Sequence, residues 1–159
     1  MDCTKSERTA RVLALLVPLA LLGGAYISQY GFGLAPCQMC WWQRYAHFAA
    51  LGFAVLAWLR PPGIIFVALA ALAIAVSGMI GGFHAGVEYR WWEGLTACAT
   101  GSLGGGNPLD AIMNAPLVRC DVAPWSLFGI SLAGWNFLLS GTAALALAWL
   151  LSHRAKAVS

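Results

Sequence analysis

The chain has 159 residues, 60% of them hydrophobic and only 9% charged, against roughly 25% charged in an ordinary soluble domain. That leaves too little polar surface to cover a water-soluble globule, so the expected solvent is a bilayer. The formal charge of +3 is spread along the chain rather than gathered in a patch, and nothing reads as a nucleic-acid-binding surface.

Four apolar runs, residues 12–30, 41–59, 64–83 and 129–151, hold 19 to 23 residues each, close to the roughly 20 that span a hydrocarbon core as a helix. They predict an all-α membrane protein: a four-helix transmembrane bundle forming a single domain over 1–159, with loops over 31–40 and 84–128. No room is left for a separate soluble catalytic domain, so chemistry has to sit in loops or between helices. Lys5, Arg8 and Arg11 precede the first run, Arg60 lies between the second and third, and Arg154 and Lys156 follow the fourth. The positive-inside rule makes that face cytoplasmic, which places both termini inside and the two named loops outside. The basic start, the apolar stretch 12–22 and the small residues 23–25 also resemble a signal peptide, but the run continues apolar through Ile27.

After the first run, a short uncharged segment leads to P-C-Q-M-C-W-W-Q-R at residues 36–44. A C-x-x-C pair thus stands at the mouth of an apolar helix, with Trp41 and Trp42 as interface anchors. Arg44 falls where hydrocarbon should have begun, at a cost of about 3 kcal/mol on insertion scales, and such residues tend to mark function. Cys40 and Arg44 are i,i+4 on one helix face, and long helical side chains lean toward the N-terminus. The guanidinium is therefore expected to point back at the Cys40 sulfur, where a helix N-terminus and a cation together favour thiolate. His47, one turn deeper, reads equally well as a polar pocket group or as a tolerated residue.

Residues 60–63, R-P-P-G, make a turn. Gly78, Gly82 and Gly86 recur at every fourth position, a pattern that permits close helix contact. In the long loop that follows, Tyr89, Trp91 and Trp92 suggest an interface belt, and glycines crowd the chain after Cys98. Asn107-Pro108 reads as an N-cap with proline at the first helical position. Leu109, Ile112 and Met113 then share a face, and Pro116 ends the run. This predicts a short amphipathic helix lying on the membrane in the second outer loop. Trp135 and Asn136, near the outer end of the last run, receive no role from the sequence.

Topology sorts the five cysteines. Cys3 falls inside as a dispensable thiol, whereas Cys37, Cys40, Cys98 and Cys120 fall outside, where disulfides persist. Four cysteines allow three pairings, and spacing does not choose among them. A Cys₄ zinc site generally uses two close pairs, but Cys98 and Cys120 are 22 positions apart, so no metal is expected. A structural or adaptor membrane protein with static disulfides accounts for Cys98 and Cys120 but not for a C-x-x-C backed by Arg44. A relay of two dithiol/disulfide pairs accounts for all four cysteines. It needs an electron sink, and a site open to the bilayer suggests a lipid-soluble quinone.

Three motifs carry a resemblance over nearly the whole chain: residues 36–44, H-A-G-V-E-Y-R-W-W-E-G-L-T-A-C at 84–98, and C-D-V-A-P-W-S-L-F-G-I-S at 120–131. In order and spacing the chain resembles the DsbB family of disulfide bond formation proteins. The DsbA–DsbB–quinone system is the established device that keeps the bacterial periplasm oxidising. The resemblance implies that Cys98 and Cys120 reoxidise a periplasmic DsbA-like thioredoxin-fold partner, with Cys98 forming the mixed disulfide. Electrons would pass to Cys37 and Cys40 and on to ubiquinone or menaquinone. Cys40 would face the quinone, Arg44 would stabilise both thiolate and quinone, and His84 would lie near the ring. It also implies a multi-pass protein of the bacterial inner membrane with its site on the periplasmic face. A vitamin K epoxide reductase-like protein shares the four-helix, two-pair logic, but its C-x-x-C comes late in the chain rather than first.

Overall fold

In the computed structural model, residues 3–95 and 119–158 are described; Cys98 and the expected amphipathic helix lie outside them. Four long helices make up nearly all of the described chain: α1 (Cys3–Gly31), α2 (Gln38–Leu59), α3 (Gly63–Glu88) and α4 (Leu132–Val158). Between α3 and α4 stands a small hairpin, β1 (Ser126–Leu127) and β2 (Ile130–Ser131), paired antiparallel.

Three of the helices, over Lys5–Gly31, Gly63–Glu88 and Leu132–His153, are long and apolar enough to cross a membrane, and the chain is a membrane protein. Helix α2 has the length but a weaker apolar character, because Gln43, Arg44 and His47 interrupt it. The exterior of the bundle is oily: Leu16, Leu19, Ile27, Leu59, Leu72 and Leu145 are all exposed. That is the surface of a protein whose helices face lipid rather than water.

Two of the expected boundaries shift. The first helix begins at Cys3, so Lys5, Arg8 and Arg11 ride on it as an extra helical stretch rather than preceding it as loop. The last begins at Leu132 instead of residue 129, because 126–131 turn back on themselves. Phe128 (φ 53°) and Gly129 (φ 77°) form the turn between β1 and β2, both in the left-handed region that two-residue hairpins of the primed type require. Ser131 then caps α4, its Oγ accepting from the Gly134 N–H at 3.1 Å.

At the end of the bundle away from Cys37 the core is built largely of small residues. Ala10, Ala14, Ala50, Ala54, Ala57, Ala70 and Ala71 pack around Val67, Ile74, Leu147 and Leu150, letting the helix backbones approach closely. The glycine face of α3 works in the same way. A Cβ at Gly78 would lie 3.1 Å from Ser140 Cβ, one at Gly81 2.9 Å from the Ala133 carbonyl, and one at Gly82 2.9 Å from the Phe137 ring. These glycines press α3 against α4, so the spacing seen in the sequence is a packing device. Gly86 differs, because its missing side chain makes room for the Trp92 indole, which donates to the Phe83 carbonyl at 2.9 Å.

The Gly81 contact is with backbone, which cannot rotate away. Gly81→Ala is expected to destabilise the bundle by about 1–3 kcal/mol, read as a lower Tm in detergent. Gly23→Ala, with nothing within 4 Å of its Cβ, should leave Tm unchanged or raise it.

Candidate functional site

The C-x-x-C motif sits where a chain segment becomes a helix. Cys37 is the N-cap of α2, with extended backbone (φ −78°, ψ 176°), and its Sγ accepts the Cys40 N–H at 3.3 Å. The sulfur thus occupies the place that a serine or aspartate oxygen takes at an ordinary helix start. One turn brings Cys40 round so that the Cys37 thiol donates to Cys40 Sγ at 3.0 Å. Cys37 is buried and Cys40 partly open. The hydrogen bond to Cys40, reinforced by burial, pushes the Cys37 thiol well above its usual pKa. Cys37 therefore keeps its proton, and Cys40 is the sulfur that takes thiolate character at the helix N-terminus.

His84, from the C-terminal part of α3, completes this cluster. Its Nε2 lies 3.6 Å from Cys37 Sγ and its Nδ1 3.0 Å from Gln43 Nε2. The hydrogen-bond network fixes the tautomer. Gln43 Nε2 also donates to the Met39 carbonyl, while Gln43 Oε1 accepts from Asn136 Nδ2 at 2.8 Å, so the amide has one orientation. Nδ1 of His84 is then an acceptor, and Nε2 carries the proton toward Cys37. Cys37, Cys40 and His84 also place three potential ligand atoms within 4.8 Å of one another. In this tautomer, however, His84 offers Cys37 an N–H rather than a lone pair for a metal.

Cys120 reaches the same place from the other side of the chain. It is fully buried and packs with Cys37, Met39 and Val87, with Cys40 at the margin, and its backbone is a hydrogen-bond partner of the His84 ring. Arg119 and Asp121 flank it, joined by a pair of hydrogen bonds that hold the Asp121 carboxyl below its usual pKa. With both neighbours engaged outside, the cysteine between them points inward. Tyr89, just past α3, secures the following hairpin: its hydroxyl donates to the Gly129 carbonyl and accepts from the Ser131 N–H, each at 3.0 Å.

Arg44 makes no hydrogen bond to Cys40, although its charge still favours the Cys40 thiolate. It reaches α1 instead, donating from NH1 to Gln29 Oε1 at 2.6 Å and from NH2 to the Ala25 carbonyl at 3.1 Å. Its guanidinium lies 4.9 Å from the centre of the Tyr26 ring and 5.1 Å from that of Trp41. Two acceptors and two aromatic faces offset the cost of taking the cation out of water.

Among the four helices lies a cavity of about 420 Å³ with mostly apolar walls. Cys40, Gln43, Arg44, His47, His84 and Glu88 all border it. Of the residues implicated from sequence, the structure thus brings together Cys37, Cys40, His84, Arg44 and Cys120. Four others had no assigned role: Gln43, Ser77, Asn136 and Glu88. Asn136 Nδ2 donates to the Ser77 carbonyl and to Gln43 Oε1, and Asn136 Oδ1 lies 2.9 Å from His47 Nε2. Glu88 Oε1 lies 3.8 Å from His84 Nε2. The rule that singled out Arg44, a polar side chain inside an apolar run, applies equally to Gln43 and Asn136.

With the site's geometry established, the comparisons with known proteins decide its class. The family model described as Disulfide bond formation protein DsbB matches residues 7–150. The chain belongs to the DsbB family. It is similar to the Disulfide bond formation protein B of Azoarcus sp. (strain BH72), 32% identical over 143 residues covering 82% of this chain and 83% of the relative. The protein of the same name from Verminephrobacter eiseniae is 32% identical over 92% of this chain and 89% of its own length. That from Hahella chejuensis is 27% identical over 97% of this chain and the full length of the relative. No solved structure gives a significant match. Membership in the DsbB family makes this a disulfide bond formation protein and a disulfide oxidoreductase of the membrane.

The shared proton of the dithiol has a chemical signature. In the reduced protein, Cys40 is expected to react with iodoacetamide at least about tenfold faster than Cys37. Because the Cys37 pKa is raised in the folded state, Cys37 should stay protonated and slow from pH 7 to pH 9. Peptide mapping after short pulses measures both rates, and equal reactivity would contradict the hydrogen-bond assignment.

Proposed function

We propose that the protein is a quinone-dependent disulfide oxidase of the bacterial inner membrane. Its substrate is a reduced DsbA-like thioredoxin-fold protein on the periplasmic side, and its electron acceptor is ubiquinone or menaquinone. In this reading all four helices, α2 included, span the bilayer with both termini in the cytoplasm. The observation that carries it is the Cys37–Cys40 dithiol, its sulfurs 3.0 Å apart, opening through Cys40 on an apolar cavity in the membrane domain.

The steps balance as thiol–disulfide exchange. The partner's thiolate attacks Cys98 of a Cys98–Cys120 disulfide, releasing Cys120. The partner's second thiol resolves the mixed disulfide and leaves Cys98 and Cys120 reduced. A thiolate of that pair then attacks the Cys37–Cys40 disulfide, and closure of Cys98–Cys120 leaves Cys37 and Cys40 reduced. The burial of Cys120 against Cys37 supports this second exchange. Reclosing Cys37–Cys40 sends two electrons and two protons to the quinone, giving hydroquinone.

The chain's own residues suit this traffic. Cys40 holds the thiolate that borders the cavity. His84 Nε2–H steadies the Cys37 sulfur as charge moves between the pair. Arg44, fixed by Gln29 and Ala25, supplies a permanent positive potential at the cavity wall for an oxygen gaining negative charge. The apolar lining favours a lipid-soluble ring and excludes water from the transfer.

The purified, oxidised protein should reduce a soluble ubiquinone analogue when supplied with reduced DsbA-type partner. Cys40→Ser should bring that rate to background, and an unchanged rate would defeat the relay. Arg44→Ala should raise the KM for quinone about tenfold or more, as for loss of a hydrogen bond to a charged group, with Cys37 and Cys40 still able to pair.

A further inference from the structure

Among the described residues only three buried side-chain polar atoms have no hydrogen-bond partner, and two of them, His47 Nδ1 and Glu88 Oε2, belong to side chains that border the same cavity. Buried polar groups are almost always satisfied, so two unsatisfied atoms on one cavity call for an explanation. His47 is buried, 3% exposed, and the Glu88 side chain is 2% exposed.

The network decides what His47 Nδ1 is. Asn136 Nδ2 donates to the Ser77 backbone carbonyl at 3.1 Å, which can only accept, so Asn136 Oδ1 is the acceptor side of that amide. His47 Nε2, 2.9 Å from that oxygen, must carry the proton. Ser140 Oγ donates to the same oxygen at 3.0 Å, leaving it no role as a donor. In the neutral ring Nδ1 is then a bare lone pair. In the ionised carboxylate Glu88 Oε2 is likewise an acceptor without a partner. The two side chains lie apart along the bundle: His47 is one turn beyond Gln43 on α2, while Glu88 is one turn beyond His84 on α3, its Oε1 3.8 Å from His84 Nε2.

A quinone presents only acceptors, whereas its two-electron reduced form presents two hydroxyl donors. Acceptors without partners cannot reward the first and can reward the second. We infer that His47 and Glu88 are selectivity residues of the acceptor cavity, whose bare lone pairs take hydrogen bonds from the hydroxyls of a bound hydroquinone and so make the pocket bind the reduced ring more tightly than the oxidised one. This rests on the proposed use of a quinone. Tighter binding of product raises the midpoint potential of the bound couple, by about 30 mV for each tenfold difference in a two-electron couple, and so draws electrons out of the dithiol.

The test compares equilibrium binding of an oxidised short-chain ubiquinone analogue and of its hydroquinone, measured under anaerobic conditions on the full-length protein in detergent. Wild-type protein should hold the hydroquinone about tenfold or more tighter, the worth of satisfying a buried acceptor. The dimethyl ether of that hydroquinone, which has the ring but no donor, should lose the advantage. His47→Leu should weaken hydroquinone binding about tenfold and quinone binding less than about twofold, and Glu88→Met should act in the same direction. His47→Gln, which can donate to Asn136 and still offer an oxygen, should keep the preference. Equal affinities for the two redox forms in wild type, or equal losses for both in His47→Leu, overturn the inference while leaving quinone use intact. The ether comparison needs no variant, so it decides the matter even if a substitution prevents folding. Failure of wild type to bind either form would instead remove the quinone reading itself.

Discussion

Every unusual property of this bundle depends on one constraint: a polar side chain among apolar helices has to find its hydrogen bonds on another helix. Gln43 is the centre of that solution. From α2 it donates to His84 on α3 and accepts from Asn136 on α4, while its backbone carbonyl accepts from Ser77 Oγ at 3.1 Å. Three helices are thereby joined at one level. Arg44, the next residue, adds α1 through Gln29 and Ala25. Two consecutive residues thus bind the whole bundle together, and both stand one turn from the dithiol. In an apolar surrounding, an unmade partner costs more than in water, so the register of the four helices around the cysteines is held tightly.

The two ends of the bundle use opposite packing. At the end away from the dithiol, alanines let the backbones close up and fill the interior. At the cysteine end the same four helices carry hydrogen-bonded polar groups and leave about 420 Å³ open. A closely packed half supporting an open, polar half places the Cys37 and Cys40 sulfurs at a helix terminus and not on a loop. The glycine face of α3 links the two halves by keeping α3 against α4 along the stretch from Gly78 to Gly82.

Much of this was legible in the sequence, and the rest was hidden for identifiable reasons. Hydrophobic run length locates the helices because a span needs a fixed number of residues, yet it misplaces their ends. Lys5, Arg8 and Arg11 are polar but compatible with helix, so α1 continues through them. Residues 129–131 open an apolar run but belong to a hairpin whose turn depends on two positive φ angles. C-x-x-C at a helix start is a local pattern, so the place of both cysteines at the mouth of α2 was readable directly, whereas the N-cap role of Cys37 came with the structure. Arg44 shows where local logic stops: the i,i+4 rule describes one helix in isolation, whereas Gln29 and the Tyr26 ring come from another. Pairings such as Gln43 with Asn136, 93 positions apart, exist only once the helices are assembled, and no spacing rule within a single segment can name them.

The small hairpin before α4 sets a length scale. Tyr89 clasps it at two points, so Ser126 is effectively a fixed post on the body of the protein, and Cys120 lies six residues up the chain from it. An extended segment of that length spans at most about 20 Å. The Cys120 sulfur therefore always stays within that reach of the hairpin, and in the structure it is buried beside Cys37.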